Sequence, residues 1–211
     1  MSAADVRRVV VATANRGKLE EIRSALPFEG WEFVTAADLG EAPLEVEETG
    51  TTFVANARLK AHAYHEAFGL AALADDSGLC VDYLGGAPGV LSARFGGEGL
   101  TDRQKCTLLL ERLAAATDAE RGASFHCTLA LALPSGEARC VHGETRGRIL
   151  RDLRGTSGFG YDPLFLVPEL GRTYAELSPA EKHQISHRGR AAAQLPDLLE
   201  AWPAIRTAGV R

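Results

Sequence analysis

The 211-residue sequence has few cysteines, and none is paired along the chain. Cys80, Cys106, Cys127 and Cys140 lie far apart with no Cys-x-x-Cys spacing, which argues against a cysteine metal site. No secretory signal precedes them, so reduced thiols in a cytoplasmic protein are expected. No apolar run approaches the roughly 20 residues that a membrane-spanning helix needs. Basic excess is missing too. With 23 Lys+Arg against 28 Asp+Glu the net charge is -5, so nothing compositional points to a nucleic-acid polymer or a membrane surface. An anionic ligand would therefore need a local basic pocket. What remains is ordinary for a globular α/β chain: the length fits one domain over residues 1–211, at most with two lobes, and can bury a sizeable core.

Within that frame one stretch stands out. The apolar run from Leu70 to Ala74 reads as a buried strand, and it is followed by Asp75-Asp76-Ser77-Gly78. Two adjacent carboxylates at a strand end repel each other unless a cation sits beside them, and hard cations such as Mg²⁺ choose such oxygen ligands while keeping several waters. The same residues are also common turn formers. The continuation favours a site: five glycines and a proline lie between Gly85 and Gly97 with Arg94 among them, a backbone suited to close approach of a ligand.

The chain opens with the β-branched run Arg7 to Ala12, the polar turn Thr13-Ala14-Asn15-Arg16-Gly17-Lys18 and a helical pattern from Leu19 to Leu26. A helix start reached through such a turn offers free N–H groups and a positive dipole end, and Lys18 adds a charge, so a phosphate could bind there. Neither Walker A nor Gly-x-Gly-x-x-Gly spacing is present in the turn, and an ordinary cap by Thr13 or Asn15 explains it equally well. After a strand at Trp31 to Thr35, the acidic loop Glu45 to Phe53, with Glu47 and Glu48, leads into a helix over Val54 to Tyr64. Asn56 and Lys60, four apart, share a face and suggest a pocket wall. His62 and His65 lack a third metal partner and read as helix surface.

Thr101-Asp102-Arg103-Gln104 is a capping box that opens an apolar-periodic helix through Leu108, Leu109 and Leu113, where packing rather than chemistry is expected. Ser124 to Leu133 and Ala138 to Arg148 read as a hairpin across Pro134-Ser135-Gly136-Glu137, so the sheet mixes parallel and antiparallel strands. No role emerges for Gly143-Glu144-Thr145-Arg146-Gly147-Arg148. In Gly158-Phe159-Gly160-Tyr161-Asp162-Pro163 the alternating glycines and aromatics suit either base stacking or a plug for the core. Ser178-Pro179-Ala180-Glu181 caps a short helix carrying Lys182 and His183. Ser186-His187-Arg188 opens a last helix that runs through Leu195, Leu198 and Leu199. Lys182, His187 and Arg188 thus gather donors beside a Gly-aromatic loop.

Taken together, Thr13-x-Asn15-x-x-Lys18, Glu48-Thr49-Gly50-x-Thr52-Phe53-x-x-Asn56-Ala57-x-x-Lys60-Ala61, Asp75-Asp76-Ser77-Gly78-Leu79 with Gly85-Gly86-x-Pro88-Gly89 and Ser92-Ala93-Arg94, Gly158-Phe159-Gly160-Tyr161-Asp162-Pro163, and Glu181-Lys182 with Ser186-His187-Arg188 resemble the inosine triphosphate pyrophosphatase family. The resemblance spans residues 13 to 188 in order. It implies a mixed, elongated central sheet flanked by helices, with two lobes and the active site in the cleft between them. It further implies hydrolysis of ITP, dITP and XTP to the monophosphate and pyrophosphate, with Mg²⁺, by a homodimer. On the same grounds Thr13, Ala14, Asn15, Arg16, Gly17 and Lys18 would cradle phosphates. Glu48 and Asp76 would hold the metal, with Asp76 also the general base. Lys60, Ser77 and Arg94 would contact the nucleotide, and Phe159, Gly160, Tyr161, Asp162, Lys182, His187 and Arg188 would hold the base. Asp75 would assist.

Overall fold

A computed structural model describes residues 7–13, 15–25 and 30–200. Ala14, Leu26 and the Arg16 side chain lie outside the described residues. The chain runs β1 (Arg7–Ala12), α1 (Arg16–Ala25), β2 (Trp31–Val34), α2 (Phe53–Phe68), β3 (Ala71–Val81) and α3 (Asp102–Arg112). It continues through β4 (Gly122–Ala132), β5 (Ala138–Ile149), β6 (Phe165–Val167), β7 (Arg172–Thr173), α4 (Pro179–Ile185), α5 (His187–Ala192) and α6 (Leu195–Glu200). The strands form one seven-stranded sheet in the order β2-β1-β3-β4-β5-β6-β7. β2-β1-β3 is parallel and the rest antiparallel, the mixed sheet expected. Helix α2 covers one face of the β1–β3–β4 region, packing Ala57, Ala61 and Tyr64 on Val10, Ala72 and Ala130. On the other face α5 and α6 place Ala191, Leu195 and Leu199 against Val9, Leu73 and Leu129. A second core at the far ends of β3 and β4 joins α3 to Phe125, Phe165 and Tyr174. Among the described residues no helix is long and apolar enough to cross a membrane.

The sheet itself makes the site. β3 does not stop at Ala74 as its apolar run suggests; it continues to Val81, paired with β4 along almost its whole length. The parallel partner β1 ends at the Ala12↔Ala74 pair, so Asp75 and Asp76 are the first residues of β3 whose other edge is open. Because successive strand residues point to opposite faces, the two carboxylates do not confront each other. Asp75 and Ser77 face α5, and Asp76 faces α2. The strand persists because β4 supplies its hydrogen bonds whatever the side chains are.

Two other features depart from the sequence reading. The terminal helix is two helices, α5 and α6, broken at Ala193 and Gln194. Pro196 in the first turn of α6 has no N–H to continue a helix from upstream. The block from Gly143 to Arg148 is a packing device within β5. A Cβ on Gly143 would collide with the His187 carbonyl and the Ala191 amide, and one on Gly147 with Phe165 and the Leu166 carbonyl. The Thr145 hydroxyl donates to the Ile185 carbonyl at 2.8 Å. α5 thus rests directly on the strand backbone, which fixes the depth of His187 and Arg188. Gly143→Ala should force α5 outward, lowering stability by about 1–3 kcal/mol as overpacked sites do and weakening nucleotide binding; a chemical melt unchanged from wild type would contradict this account of β5.

Candidate active site

Asp75 is the charged centre of the α5 side, with no exposed side-chain surface. Lys18 Nζ stands 2.7 Å from Oδ1 and Arg188 Nε 2.9 Å from Oδ2. The Ser77 hydroxyl also donates to Asp75, at 2.8 Å, and accepts from Arg188 Nη2 at 2.8 Å. The Cys127 thiol donates to Oδ2 at 3.2 Å, and burial pushes that thiol well above its usual range, so it remains a neutral donor. Burial alone would raise the Asp75 pKa; the Arg188 guanidinium and Lys18 ammonium outweigh it and hold the carboxyl well below the usual value. Asp75, expected to assist, is thereby engaged at both oxygens by protein groups.

Lys18 is delivered by the α1 start. The Asn15 side chain accepts from the Lys18 amide at 3.0 Å and so acts as the helix cap. Capping and presentation of Lys18 are two results of one turn. Glu21, one turn further along α1, was not singled out from sequence. It accepts from Lys182 Nζ at 2.7 Å and from Arg188 Nη1. Burial opposes ionisation of Glu21, but Arg188 and Lys182 lower its pKa. The i,i+3 relation to Lys18, which puts both on one helix face, was the available signal.

On the α2 side, Lys60 Nζ bridges Glu48 Oε1 at 2.6 Å and Asp76 Oδ1 at 3.2 Å. Burial pushes the Asp76 pKa up, against Lys60 and Lys18, and Glu48 adds to the rise. Asp76 Oδ2 is buried without a hydrogen-bond partner. Arg94 approaches Glu48, its Nη2 donating to the Glu48 carbonyl at 3.3 Å. Asn56 is not a pocket wall; it is buried and its Oδ1 accepts from the Gly50 amide at 2.8 Å, holding the acidic loop to α2. Among the described residues no cluster of three or more His, Cys, Asp or Glu could hold a metal ion. Mg²⁺ needs less from the protein, since it is commonly bound by one or two carboxylates with waters and substrate phosphates. The unpartnered Asp76 oxygen beside Glu48 fits that demand.

At the other end, the Gly158 to Pro163 loop divides its residues. Tyr161 goes into the core, its hydroxyl donating to the Ser92 carbonyl at 2.9 Å. Phe159 stays half-buried against Gly17, with Lys182 Nζ 4.9 Å and the Arg188 guanidinium 5.9 Å from its ring centre. Asp162 accepts from Lys182 Nζ at 2.5 Å and from the Phe159 amide at 2.9 Å; burial pushes its pKa up against the pull of Lys182. His187 stacks on Phe125 at 4.7 Å and its Nδ1 has no partner. Burial, with Arg188 and Lys182 adding, drives its pKa well below the usual value, so it is a neutral ring and not a third cation.

These groups line two cavities. One, of about 390 Å³, is bordered by Phe159, Asp162, Lys182, His187 and Arg188; the other, of about 820 Å³, by Thr13, Glu48, Lys60 and Asp75. Asn15, Lys18 and Ala93 border both. An aromatic, donor-bearing chamber therefore opens onto a chamber of cations and carboxylates, with Lys18 at the junction.

A sequence model of the Ham1 family matches residues 9–198. A dITP/XTP pyrophosphatase of Bacillus licheniformis is 45% identical over 195 residues, 92% of this chain and 99% of that protein. One from Streptomyces avermitilis is 50% identical over 190 residues, 89% of this chain and 94% of that protein. A solved Ham1 protein of Coxiella burnetii superposes with a TM-score of 0.83 at 44% identity, covering 93% of this chain and 100% of that one.

Removing one member of a buried ion cluster leaves the others uncompensated. Asp75→Asn should cost about 3–5 kcal/mol of stability. Since the folded-state pKa of Asp75 is depressed, its contribution is present above its ordinary value of 3.8 and is lost as pH falls below that. Acid unfolding curves should accordingly be flatter in that range for Asp75→Asn than for wild type, and parallel curves would remove Asp75 from its central place.

Proposed function

The chain belongs to the Ham1 family, and from that premise we infer that it hydrolyses the non-canonical purine nucleoside triphosphates ITP, dITP and XTP to the monophosphate and pyrophosphate. One observation carries this: the base-sized aromatic chamber and the charged chamber meet at Lys18, in the order in which a nucleotide places its base and phosphates. A protein that only bound nucleotides would have no use for Glu48 and the unpartnered Asp76 oxygen.

In the reaction a water oxygen bonds to one phosphorus of the α–β bridge, the bridging P–O bond breaks, pyrophosphate departs and the water's proton goes to a base. Asp76 is that base. Burial raises its pKa in the metal-free protein, and a bound cation would lower it again. Lys60 remains an ammonium, because Asp76 and Glu48 outweigh the effect of its burial; it holds Asp76 through Oδ1 and leaves Oδ2 open. Lys18, Lys60 and Arg94 carry the positive charge that phosphate oxygens require. Mg²⁺ held by Glu48 and Asp76 would neutralise further phosphate charge and make the water more acidic. The reading extends to a homodimer, on the family resemblance, and to a cytoplasmic setting, which the four free cysteines support.

Base selection follows from donors. Asp75 and Glu21 hold Arg188 charged against its burial, Lys182 lies against Glu21 and Asp162, and each retains N–H groups beyond those pairs. A 6-oxo group accepts from such donors, whereas the 6-amino group of adenine opposes them. A buried polar group left unsatisfied costs about 1–3 kcal/mol, so two mismatches give discrimination on the order of 10²-fold or more.

Pyrophosphate release should therefore be observed with ITP, dITP and XTP and be weaker with ATP by about that factor, and it should require a divalent cation. Asp76→Asn should lower turnover by roughly 10²- to 10⁴-fold. The raised Asp76 pKa means that its ionised form costs folded-state stability, a cost felt as pH rises through that pKa, so Asp76→Asn should melt no lower than wild type at neutral pH. Near-normal turnover in Asp76→Asn, or equal rates on ATP and ITP, would refute the assignment.

A further inference from the structure

Helix α3, expected only to pack, also reaches the cleft with its first turn. Asp102 and Lys105 share one face, Lys105 Nζ standing 2.9 Å from Asp102 Oδ1. Each is tied to a different wall: Lys105 Nζ donates to the Ala93 carbonyl at 3.1 Å, and Asp102 Oδ2 accepts from the Gly160 amide at 2.7 Å. The Lys105 side chain is 13% exposed and that of Asp102 48%, and both residues border the aromatic chamber. A helix-surface ion pair contributes little to stability and needs neither burial nor such anchors.

Position narrows what the pair can meet. Ala93 borders both chambers, and Gly160 belongs to the loop at the base end, so Asp102 and Lys105 lie along the wall between the phosphate end and the base end. In a nucleoside triphosphate the group in that interval is the sugar. Hydrogen-bonding capacity narrows it further. An ammonium has three donors and Lys105 has used two; a carboxylate offers about four acceptor sites and Asp102 has used two. A remaining donor beside a remaining acceptor is the complement of a hydroxyl, which both gives and takes a hydrogen bond.

We propose that Asp102 and Lys105 bind the 3'-hydroxyl of the substrate's sugar, Asp102 accepting its proton and Lys105 donating to its oxygen. The inference rests on the pyrophosphatase reading, which admits both a deoxyribonucleotide and a ribonucleotide. Of the two ring hydroxyls, the 3' group is the one those sugars share.

The test compares kcat/KM for dITP and 2',3'-dideoxyinosine triphosphate, and calorimetric Kd for the corresponding monophosphates, in wild type, Asp102→Ala and Lys105→Met. Wild type should favour the 3'-hydroxyl substrate by about 10-fold or more, as expected for a hydrogen bond to charged groups. Asp102→Ala should bring the ratio close to one and Lys105→Met should reduce it, while the ITP to dITP ratio stays near one throughout. If Asp102 merely braces the Gly160 loop, its loss will slow both substrates equally and preserve the ratio. That result, or a wild type indifferent to the 3'-hydroxyl, overturns the proposal. Absence of any dITP hydrolysis by wild type would instead count against the pyrophosphatase reading, and the monophosphate binding ratio would still decide the sugar contact.

Discussion

Asp75 carries a charge on a fully buried side chain, and that is tolerable only because Lys18, at the junction of the two chambers, and Arg188, at the base end, both meet it. Burying a carboxylate costs several kcal/mol, and good geometry with satisfied hydrogen bonds is needed to recover that cost. The Ser77 hydroxyl and the Cys127 thiol supply the remaining bonds. The consequence reaches well past β3. Lys18 comes from the first turn of α1, Arg188 from α5, and Glu21 ties α1 to Arg188 and Lys182. Three segments far apart in sequence are held in register by one oxygen-rich centre, and these segments present the phosphate-binding and base-binding groups.

Strand periodicity then separates the duties of neighbours. Asp75 and Asp76 differ by one position, yet one is pinned by cations and kept ionised while the other is raised by burial and left with an unpartnered oxygen. A structural anion and a catalytic base can be adjacent because a strand turns them to opposite faces. The early end of β1 leaves both at the open edge of β3, and Gly143 of β5 lets α5 approach closely enough for Arg188 to reach its partner.

Much of this was legible before the fold was known. Capping boxes at Thr101 and Ser178, the hairpin at Pro134 to Glu137 and the mixed sheet are local signals, and local signals survive folding. The candidate residues of the acidic loop, β3 and the Phe159 loop also come together around one cleft. What could not be read is what depends on distant partners. The extent of β3 is set by β4, the neutrality of His187 by its burial under Phe125 and beside two cations, and the part played by Glu21 by residues more than a hundred positions away. Tyr161 illustrates the same limit: a Gly-aromatic loop announces a ring at a site, but only packing decides that Phe159 stays half-buried at the cleft while Tyr161 packs into the core and still borders the aromatic chamber.

If one buried carboxylate couples the junction of the chambers to the base end, Lys18 and Arg188 cannot act independently. A double-mutant cycle on kcat/KM for ITP, using Lys18→Ala, Arg188→Ala and the pair together, measures that coupling directly. The account predicts that the double variant loses much less than the product of the single losses, because either substitution alone already unbalances Asp75. Losses that multiply would contradict it.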